Sequence, residues 1–356
     1  MVVENISLKN FRNHDYLTYN FSENLNILTG PNAAGKTNVM EAIYYLSLAR
    51  SFRTSEDAAL IKKGKDRAEI NATCREGELK RKIRIIITET GKQIFINGKS
   101  ISKISELSTC MNVILFEPKD VLFFKGSPKA RRNFLDINLS KKSLQYLDYI
   151  SRYNKVLKER NDLLKSDKVD PVLLDTTTEM LAKLSGPIVS YRQMYVKDIN
   201  DILIKITRAL TGVNGKLEIH YKPFIEYGKD FQKEALEAFK RAKERDLSQK
   251  VTTIGIHRED FSIALNGRDI GEFGSQGENR IVALALKLSP YFLIEDKEKR
   301  PIVVLDDVMS ELDLEHRKRL IQFVKKFDQV FITATKLEVE GASHYQIKKQ
   351  EQKEVF

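Results

Sequence analysis

Two short stretches of this chain carry residue types whose spacing can do chemistry on a phosphate. The first is Gly30-Pro31-Asn32-Ala33-Ala34-Gly35-Lys36-Thr37, followed by Asn38. It fits the pattern G-x-x-x-x-G-K-[ST], with a strand-like run before it and a helical run from Val39 to Leu48 after it. The glycines let the backbone wrap a phosphate with its amide N–H groups pointing inward. Lys36 then brings a point charge to the β and γ oxygens, the Thr37 hydroxyl is a Mg2+ ligand, and the following helix adds the positive end of its dipole. The second stretch is Pro301-Ile302-Val303-Val304-Leu305-Asp306-Asp307. It reads as a buried parallel strand ending in two carboxylates, at the end where open α/β sheets bind ligands. Asp306 is the candidate partner of Thr37 in a Mg2+ shell. Asp307, with Lys36, is the candidate catalytic group, orienting or deprotonating an attacking water. The chemistry is that of a nucleoside triphosphate.

A third stretch, Phe273-Gly274-Ser275-Gln276-Gly277-Glu278, has two readings. Ser275 with Glu278 three residues on is a capping box. A serine-capped helix N-terminus is also an anion site, and a Ser-x-Gly upstream of a carboxylate-tipped strand is the order found in ABC-type ATPases. Both readings are compatible.

Elements must hold these groups in place. Strands are expected through residues 2–29, namely Ile6–Leu8, Leu17–Phe21 and Leu25–Leu28, and again from Ala68 to Ile101, where Asn97-Gly98 signals a hairpin turn. Met111–Phe116 reads as a buried strand running into Pro118. The period then becomes helical. Leu184, Ile188, Tyr191, Tyr195, Ile199, Ile202, Ile206 and Leu210 form one stripe of a long helix stopped at Gly212. Leu147, Ile150, Leu157 and Leu164 form a shorter stripe, with the turn between the two at Ser166 to Asp175. Strands return at Val251–Ile256 and Phe261–Leu265, with a second Asn-Gly turn at Asn266-Gly267. A helix is expected from near Ser275, another over Glu311–Phe327, and a last strand at Gln329–Ile332. The expected class is α/β. Residues 1–120 and 247–356 make an ATPase head of mixed sheets around the phosphate-loop helix, and 121–246 make an inserted helical arm.

At 356 residues, 42% hydrophobic and 31% charged, the chain can bury a core and keep a solvated surface. Its two cysteines exclude a disulfide scaffold, and five scattered histidines argue against a histidine metal centre. No apolar run approaches the roughly 20 residues that span a bilayer, and the start lacks a signal-peptide core. The expectation is a cytoplasmic protein with no membrane partner. The net charge is +11. Between Val121 and Lys165 basic residues outnumber acids by seven. That basic excess reads either as a solvated helical face or as a duplex-DNA surface, for which Arg131, Arg132, Lys141 and Lys142 are the candidates.

Further stretches are more specific than the phosphate loop. They are Leu8-Lys9-Asn10-Phe11-Arg12-Asn13-His14, Glu117-Pro118-Lys119-Asp120, the run from Gly126 to Asp136 containing Arg131-Arg132, and Gly255-Ile256-His257-Arg258-Glu259-Asp260. With Gly274 to Arg280, they make the chain resemble the RecF family of bacterial recombination mediators, within the ABC-type heads that include SMC and related DNA-repair ATPases. The resemblance covers essentially the whole chain. It implies ATP and Mg2+ as cofactors, a segment at Arg12 and Asn13 near the nucleotide base, and slow DNA-dependent ATP hydrolysis. It also implies an ATP-dependent homodimer in which Ser275, Gly277, Glu278 and Asp313 of one subunit cover the γ-phosphate held by the other. Implied partners are double-stranded DNA near single-strand junctions, RecR with RecO, and RecA through its loading. No long coiled coil is present, unlike SMC proteins. Glu278 stands where the family often has Gln, Asp307 where ABC ATPases usually have Glu, and no histidine follows Thr333-Ala334-Thr335. Two alternatives remain open: the ATPase subunit of an ABC transporter, and an ATP-binding DNA clamp without useful hydrolysis.

Overall fold

Ile302-Val303-Val304-Leu305 is buried at every position, because it runs through the middle of a parallel sheet. In the computed structural model, which describes residues 1–226, 228 and 230–348, this strand (β12, Ile302–Leu305) lies between β8 (Val113–Phe116) and β13 (Val330–Ala334). β3 (Leu25–Thr29) and β14 (Ser343–Gln346) complete the order β14-β3-β13-β12-β8, with every pairing parallel. Near-continuous apolar strands are what a sheet covered on both faces requires. The register aligns the carboxyl ends: Leu305 faces Phe116 and Ile332, and Ala334 faces Thr29.

A second, antiparallel sheet has the order β2-β1-β4-β5-β6-β7. Its strands are β1 (Val2–Phe11), β2 (His14–Asn20), β4 (Arg67–Glu76), β5 (Leu79–Thr88), β6 (Gly91–Ile96) and β7 (Lys99–Ile101). Here burial alternates; Ile83, Ile85 and Ile87 of β5 are buried while Lys82 and Arg84 are not. The helix α1 (Lys36–Leu48) shares one core with both sheets. Val39, Met40, Ile43, Tyr45 and Leu46 pack in a cluster with Ile6, Leu8 and Ile85 of one sheet and Leu28, Val304 and Phe331 of the other. A helix that meets apolar surface on most sides must itself be apolar on most sides. The short α2 (Ile104–Cys110) packs on α1. Asn97 and Gly98, with φ of 49° and 80°, make the β6–β7 turn as expected.

These elements belong to one compact unit, formed by residues 1–120, 209–212 and 284 onward; a second unit is formed by 121–208 and 213–283. The second contains α3 (Pro128–Lys142), α4 (Leu144–Lys165), most of α5 (Pro171–Thr211) and α6 (Phe231–Gln249). It also holds a sheet of order β11-β10-β9, with β9 (Leu217–Lys222), β10 (Asp260–Leu265) and β11 (Arg268–Asp269), and the short α7 (Ile270–Phe273). α8 (Gln276–Phe292) runs on into the first unit, which also holds α9 (Leu314–Val324). Two buried arginines tie the second unit together. Arg160 and Asp246, both without exposure, pair at 2.9 Å and join α4 to α6. Arg192 of α5 pairs with Asp136 at 2.8 Å and Glu259 at 2.7 Å.

Three expectations need correction. The stretch 121–246 is not purely helical, because β9 lies within it and pairs with β10. For the same reason the second unit extends to Ala283 rather than ending at 246. Val251–Ile256 is not a strand: side chains take its backbone groups away from any ladder. Asn161 accepts from the Thr252 N–H, Asp246 from the Thr253 N–H, and Arg192 donates to the Ile256 carbonyl. β14 was not anticipated, and α5 begins at Pro171 itself, a residue suited to a first helical position.

His257 reports on this packing. One ring nitrogen meets the Tyr153 hydroxyl and the other the Thr252 carbonyl, each at 3.0 Å. Burial, reinforced by Arg258 and Arg132, pushes its pKa down to about 4 from an ordinary 6.5. In that window the unfolded chain binds a proton that the folded chain does not, so stability falls as pH drops from 6.5 toward 4. At about 1.4 kcal/mol per pKa unit the loss reaches about 3 kcal/mol. Urea unfolding of wild type and His257→Gln at about pH 7 and about pH 4.5 checks this, and the variant should lack that part of the pH dependence.

Candidate functional site

The loop after β3 has the backbone that a phosphate cradle needs. Gly30 has φ 154° and Gly35 φ 103°, and Ala33 is held at φ 63°. A Cβ on Gly30 would lie 2.3 Å from the Ile347 carbonyl oxygen, so β14 and its exit require glycine there. α1 starts at Lys36 with no side-chain cap, which leaves its first amides for an anion. Pro31, Asn32 and Ala33 are exposed while Ala34 and Gly35 are buried. The Lys36 ammonium donates to the carbonyls of Gly30 at 2.8 Å and Pro31 at 2.9 Å, closing the loop on itself. Burial holds its pKa below the ordinary lysine range, against the pull of Asp307 and Asp306.

The aligned strand ends bring the second group to the same place. The Thr37 hydroxyl donates to Asp306 Oδ1 at 3.1 Å, and the Thr333 hydroxyl donates to the same oxygen at 2.7 Å. The Thr333 hydroxyl in turn accepts the Asp307 N–H at 2.8 Å. Burial raises the Asp306 pKa, while Thr333 and Thr37 oppose that shift. Asp307 has a left-handed backbone, φ 48°. Two hard oxygens, Thr37 Oγ1 and Asp306 Oδ1, therefore stand side by side. That donor set suits Mg2+, which takes one or two protein oxygens and completes its octahedron with water and phosphate. Among the described residues no cluster of three His, Cys, Asp or Glu side chains offers a dedicated cage.

The turn between β1 and β2 is stapled to this loop. The Arg12 guanidinium grips the buried Glu41 carboxylate through two bonds, at 2.8 and 2.6 Å, and reaches the Ala59 carbonyl at 2.8 Å. Three of its N–H bonds are thus made within the chain. Asn13 accepts from the Asn38 amide at 2.6 Å. His14 is buried, and a Cβ on Gly35 would lie 2.4 Å from its Nε2. Sequence reasoning missed Thr333, Glu41 and Arg53; the last donates to Asn38 Oδ1 at 2.9 Å. Thr333 had a signal, an aligned position on the neighbouring parallel strand, that only the register reveals.

The remaining candidates lie in other settings. In the second unit the Ser275 Oγ accepts from the Glu278 N–H at 3.2 Å and Glu278 accepts from the Ser275 N–H at 2.9 Å, so the capping box is formed. These bonds lower the Glu278 pKa. Nothing lies within 4 Å of a Cβ placed on Gly277. In the first unit Asp313 caps α9 through the His316 N–H at 2.9 Å. The basic quartet is not a set of free cations. Arg131 forms two bonds with Asp260, at 2.7 and 2.8 Å, Lys142 pairs with Asp198 at 3.2 Å, and Lys141 has an interaction of its own. Arg132 donates to the Glu259 carbonyl at 2.6 Å.

Comparison with known proteins places this geometry. The family model of the RecF/RecN/SMC N-terminal domain matches residues 2–355. DNA replication and repair proteins RecF are similar over nearly the full length. The one from Lactobacillus johnsonii is 35% identical over 95% of this chain and 93% of its own; that from Clostridium acetobutylicum is 36% identical over 94% and 93%. A solved structure of the recombination mediator protein RecF with ATP, of the RecFOR pathway, superposes with a TM-score of 0.88 at 32% identity, covering 98% of this chain and 97% of that one. An SMC head bound to the winged-helix domain of ScpA, at 16% identity and a TM-score of 0.56 over 94% and 90%, shares the fold. The ABC-type α/β head is thereby shown.

Thr333 gives a direct check on the geometry. Thr333→Val keeps the shape but leaves the Asp307 N–H without its acceptor and Asp306 with one donor fewer. Loss of a buried partner costs about 1–3 kcal/mol. Denaturant unfolding without nucleotide should show that loss, and nucleotide affinity should fall with it; an unchanged midpoint would remove Thr333 from the site.

Proposed function

The chain belongs to the RecF family of ABC-type ATPases in DNA replication and repair, and on that premise we propose that it binds and slowly hydrolyses ATP with Mg2+ to control its association with a second copy and with duplex DNA. The observation that carries the reading is the 3.1 Å meeting of Thr37, from the phosphate loop, with Asp306, from the carboxylate strand. Family membership sets aside the transporter-subunit alternative. Lys36 exchanges two backbone carbonyls for β and γ oxygens, and the open N-terminus of α1 holds the β-phosphate side of the loop. Thr37 and Asp306 hold Mg2+, which when bound neutralises charge on the triphosphate. Asp307 orients the attacking water from a backbone fixed by Thr333. Its side chain is shorter than glutamate, in keeping with slow turnover.

A second copy completes the site in this reading. Ser275 and Gly277 of the partner present a capped helix N-terminus to the γ-phosphate, and C2 symmetry makes the two sites equivalent. Support comes from large apolar side chains left in solvent near the candidates: Phe273, two residues before Ser275, is 66% exposed, and Leu314, next to Asp313, is 74% exposed. Exposed apolar groups flanking polar ones mark association surfaces. The positive charge of 121–165 supports a duplex-DNA partner, and relatives in the RecFOR pathway support RecR with RecO, and RecA loading at gaps, as the setting. No described helix is long and apolar enough to cross a membrane.

Three variants test the reading by sedimentation and ATPase assay. Lys36→Ala should weaken ATP by about 1.5–3 kcal/mol without unfolding the chain. Ser275→Arg should bind ATP, stay monomeric and lose hydrolysis. Asp307→Asn should dimerise on ATP and remain dimeric. If Ser275→Arg still dimerises on ATP, Ser275 is only a helix cap and the two-copy site is wrong.

A further inference from the structure

Asn38, a candidate nucleotide contact in the sequence, has both ends of its side chain engaged inside the chain. Its Oδ1 accepts from Arg53 Nη1 at 2.9 Å, and its Nδ2 donates to Asn13 Oδ1 at 2.6 Å. Three segments therefore meet at one amide: the β1–β2 turn, the first turn of α1, and the loop that carries Arg53. Chemistry fixes which end of the amide faces which neighbour. A guanidinium has N–H donors and no acceptor, so the Asn38 carbonyl oxygen must face Arg53. The Asn38 N–H2 group is then left for Asn13, whose own carbonyl oxygen receives it. One arginine sets the orientation of two amides in series.

The loop and the arginine head are held by different groups. The Ser51 hydroxyl donates to Glu41 Oε1 at 2.5 Å and accepts the backbone N–H of Arg53 at 2.9 Å and of Thr54 at 3.1 Å. Lys119 donates to the Phe52 carbonyl at 2.6 Å. These bonds fix the backbone of the loop. The Arg53 side chain is 43% exposed, and its contact with Glu41 is long, at 3.5 Å. That carboxylate is already gripped by Arg12 through two bonds. The bond to Asn38 is the short one on the guanidinium, and it keeps the charge near the strand ends. Arg53 is close enough to Asp306 to draw the pKa of that carboxyl down.

We propose that Asn38 is a positioning residue of the nucleotide site, holding the Arg53 guanidinium at the first turn of α1, where its charge offsets that of a bound triphosphate. The inference rests on the ATP reading above. A long side chain on a loop loses rotamer freedom when it is fixed beside a ligand, and a standing bond to Asn38 makes that loss before the nucleotide arrives. Asparagine suits the task because it accepts from a guanidinium without adding negative charge. A carboxylate at the same place would oppose the phosphates.

The test is a double-mutant cycle on ATP affinity, measured by calorimetry with Mg2+ on the full chain. The proteins are wild type, Asn38→Leu, Arg53→Gln and the double variant, with urea unfolding of each to establish that it is folded. Each single variant should weaken ATP at least about 10-fold, the worth of a bond to a charged group. The double variant should bind within about threefold of Arg53→Gln, because Asn38 then has nothing to position. A residue that touches the nucleotide itself, or one that only supports the fold, weakens the Arg53→Gln protein by the same factor as wild type. That additive cycle overturns the proposal, as does wild-type affinity in either single variant. If Asn38→Leu does not fold, Asn38→Ala runs the same cycle without added bulk. Wild type that binds no ATP overturns the ATP reading and this inference with it, whereas an additive cycle in a protein that binds ATP sinks this inference alone.

Discussion

The parallel register of one small sheet is the constraint on which the rest of the first unit depends. β3 delivers the phosphate loop, β12 delivers Asp306 and Asp307, and β13, between them, delivers Thr333. Because parallel strands end together, three segments distant in sequence meet without any one of them bending toward the others. A slip of one residue would turn Thr333 to the opposite face and leave Asp306 buried with a single donor. The register is protected by burial on both faces: every residue of β8, β12 and β13 is inside. Hydrophobic packing thus fixes which polar groups meet at the strand ends.

The second unit adds a further device to apolar packing. Its helices bury Tyr153, Leu181, Ile188, Ile199 and Phe239, and among these lie buried ion pairs, Arg160 with Asp246 and Arg192 with Asp136 and Glu259. Buried pairs contribute little net stability when intact, but removing one partner is costly, about 3–5 kcal/mol. Such pairs specify more than they stabilise. Here they specify the path of 251–259, whose backbone groups are bonded to side chains from α4, α5 and α6 and not to a strand.

Much of this was legible in the sequence, and the reason differs from element to element. The phosphate loop and the carboxylate strand were readable because each is a local pattern whose chemistry lies in consecutive residues. The Asn97-Gly98 turn was readable because positive φ restricts residue choice. Ser275 with Glu278 was readable as a capping box for the same local reason. Thr333 was not, because its role comes from register with β12 and not from its neighbours in sequence. β9 was hidden inside a helical stretch, since its partner β10 lies beyond α6. Val251–Ile256 looked like a strand on apolar pattern alone, and only the long-range bonds from Arg192, Asn161 and Asp246 decide otherwise. Charge counting could not show that Arg131 pairs with Asp260 and Lys142 with Asp198, because both acids are distant in sequence.

Electrostatics give a physical reason for the proposed sharing of the nucleotide site between two chains. One chain brings a single ammonium, Lys36, to a place that also holds the carboxylates Asp306 and Asp307. ATP adds several negative charges to that balance. Burial already disfavours the charge on Asp306, so a triphosphate beside it needs cations and dipoles from elsewhere. Thr37 and Asp306 would hold a Mg2+ that meets part of the need, and the open N-terminus of α1 would meet another part. Arg12 is held by Glu41, while Arg53, bonded to Asn38, draws the Asp306 pKa down. The γ-phosphate, the group that distinguishes ATP from ADP, is left with the least compensation. In the proposed two-copy site, a positively polarised helix end from a second copy would supply what one chain lacks, and only while that phosphate is present.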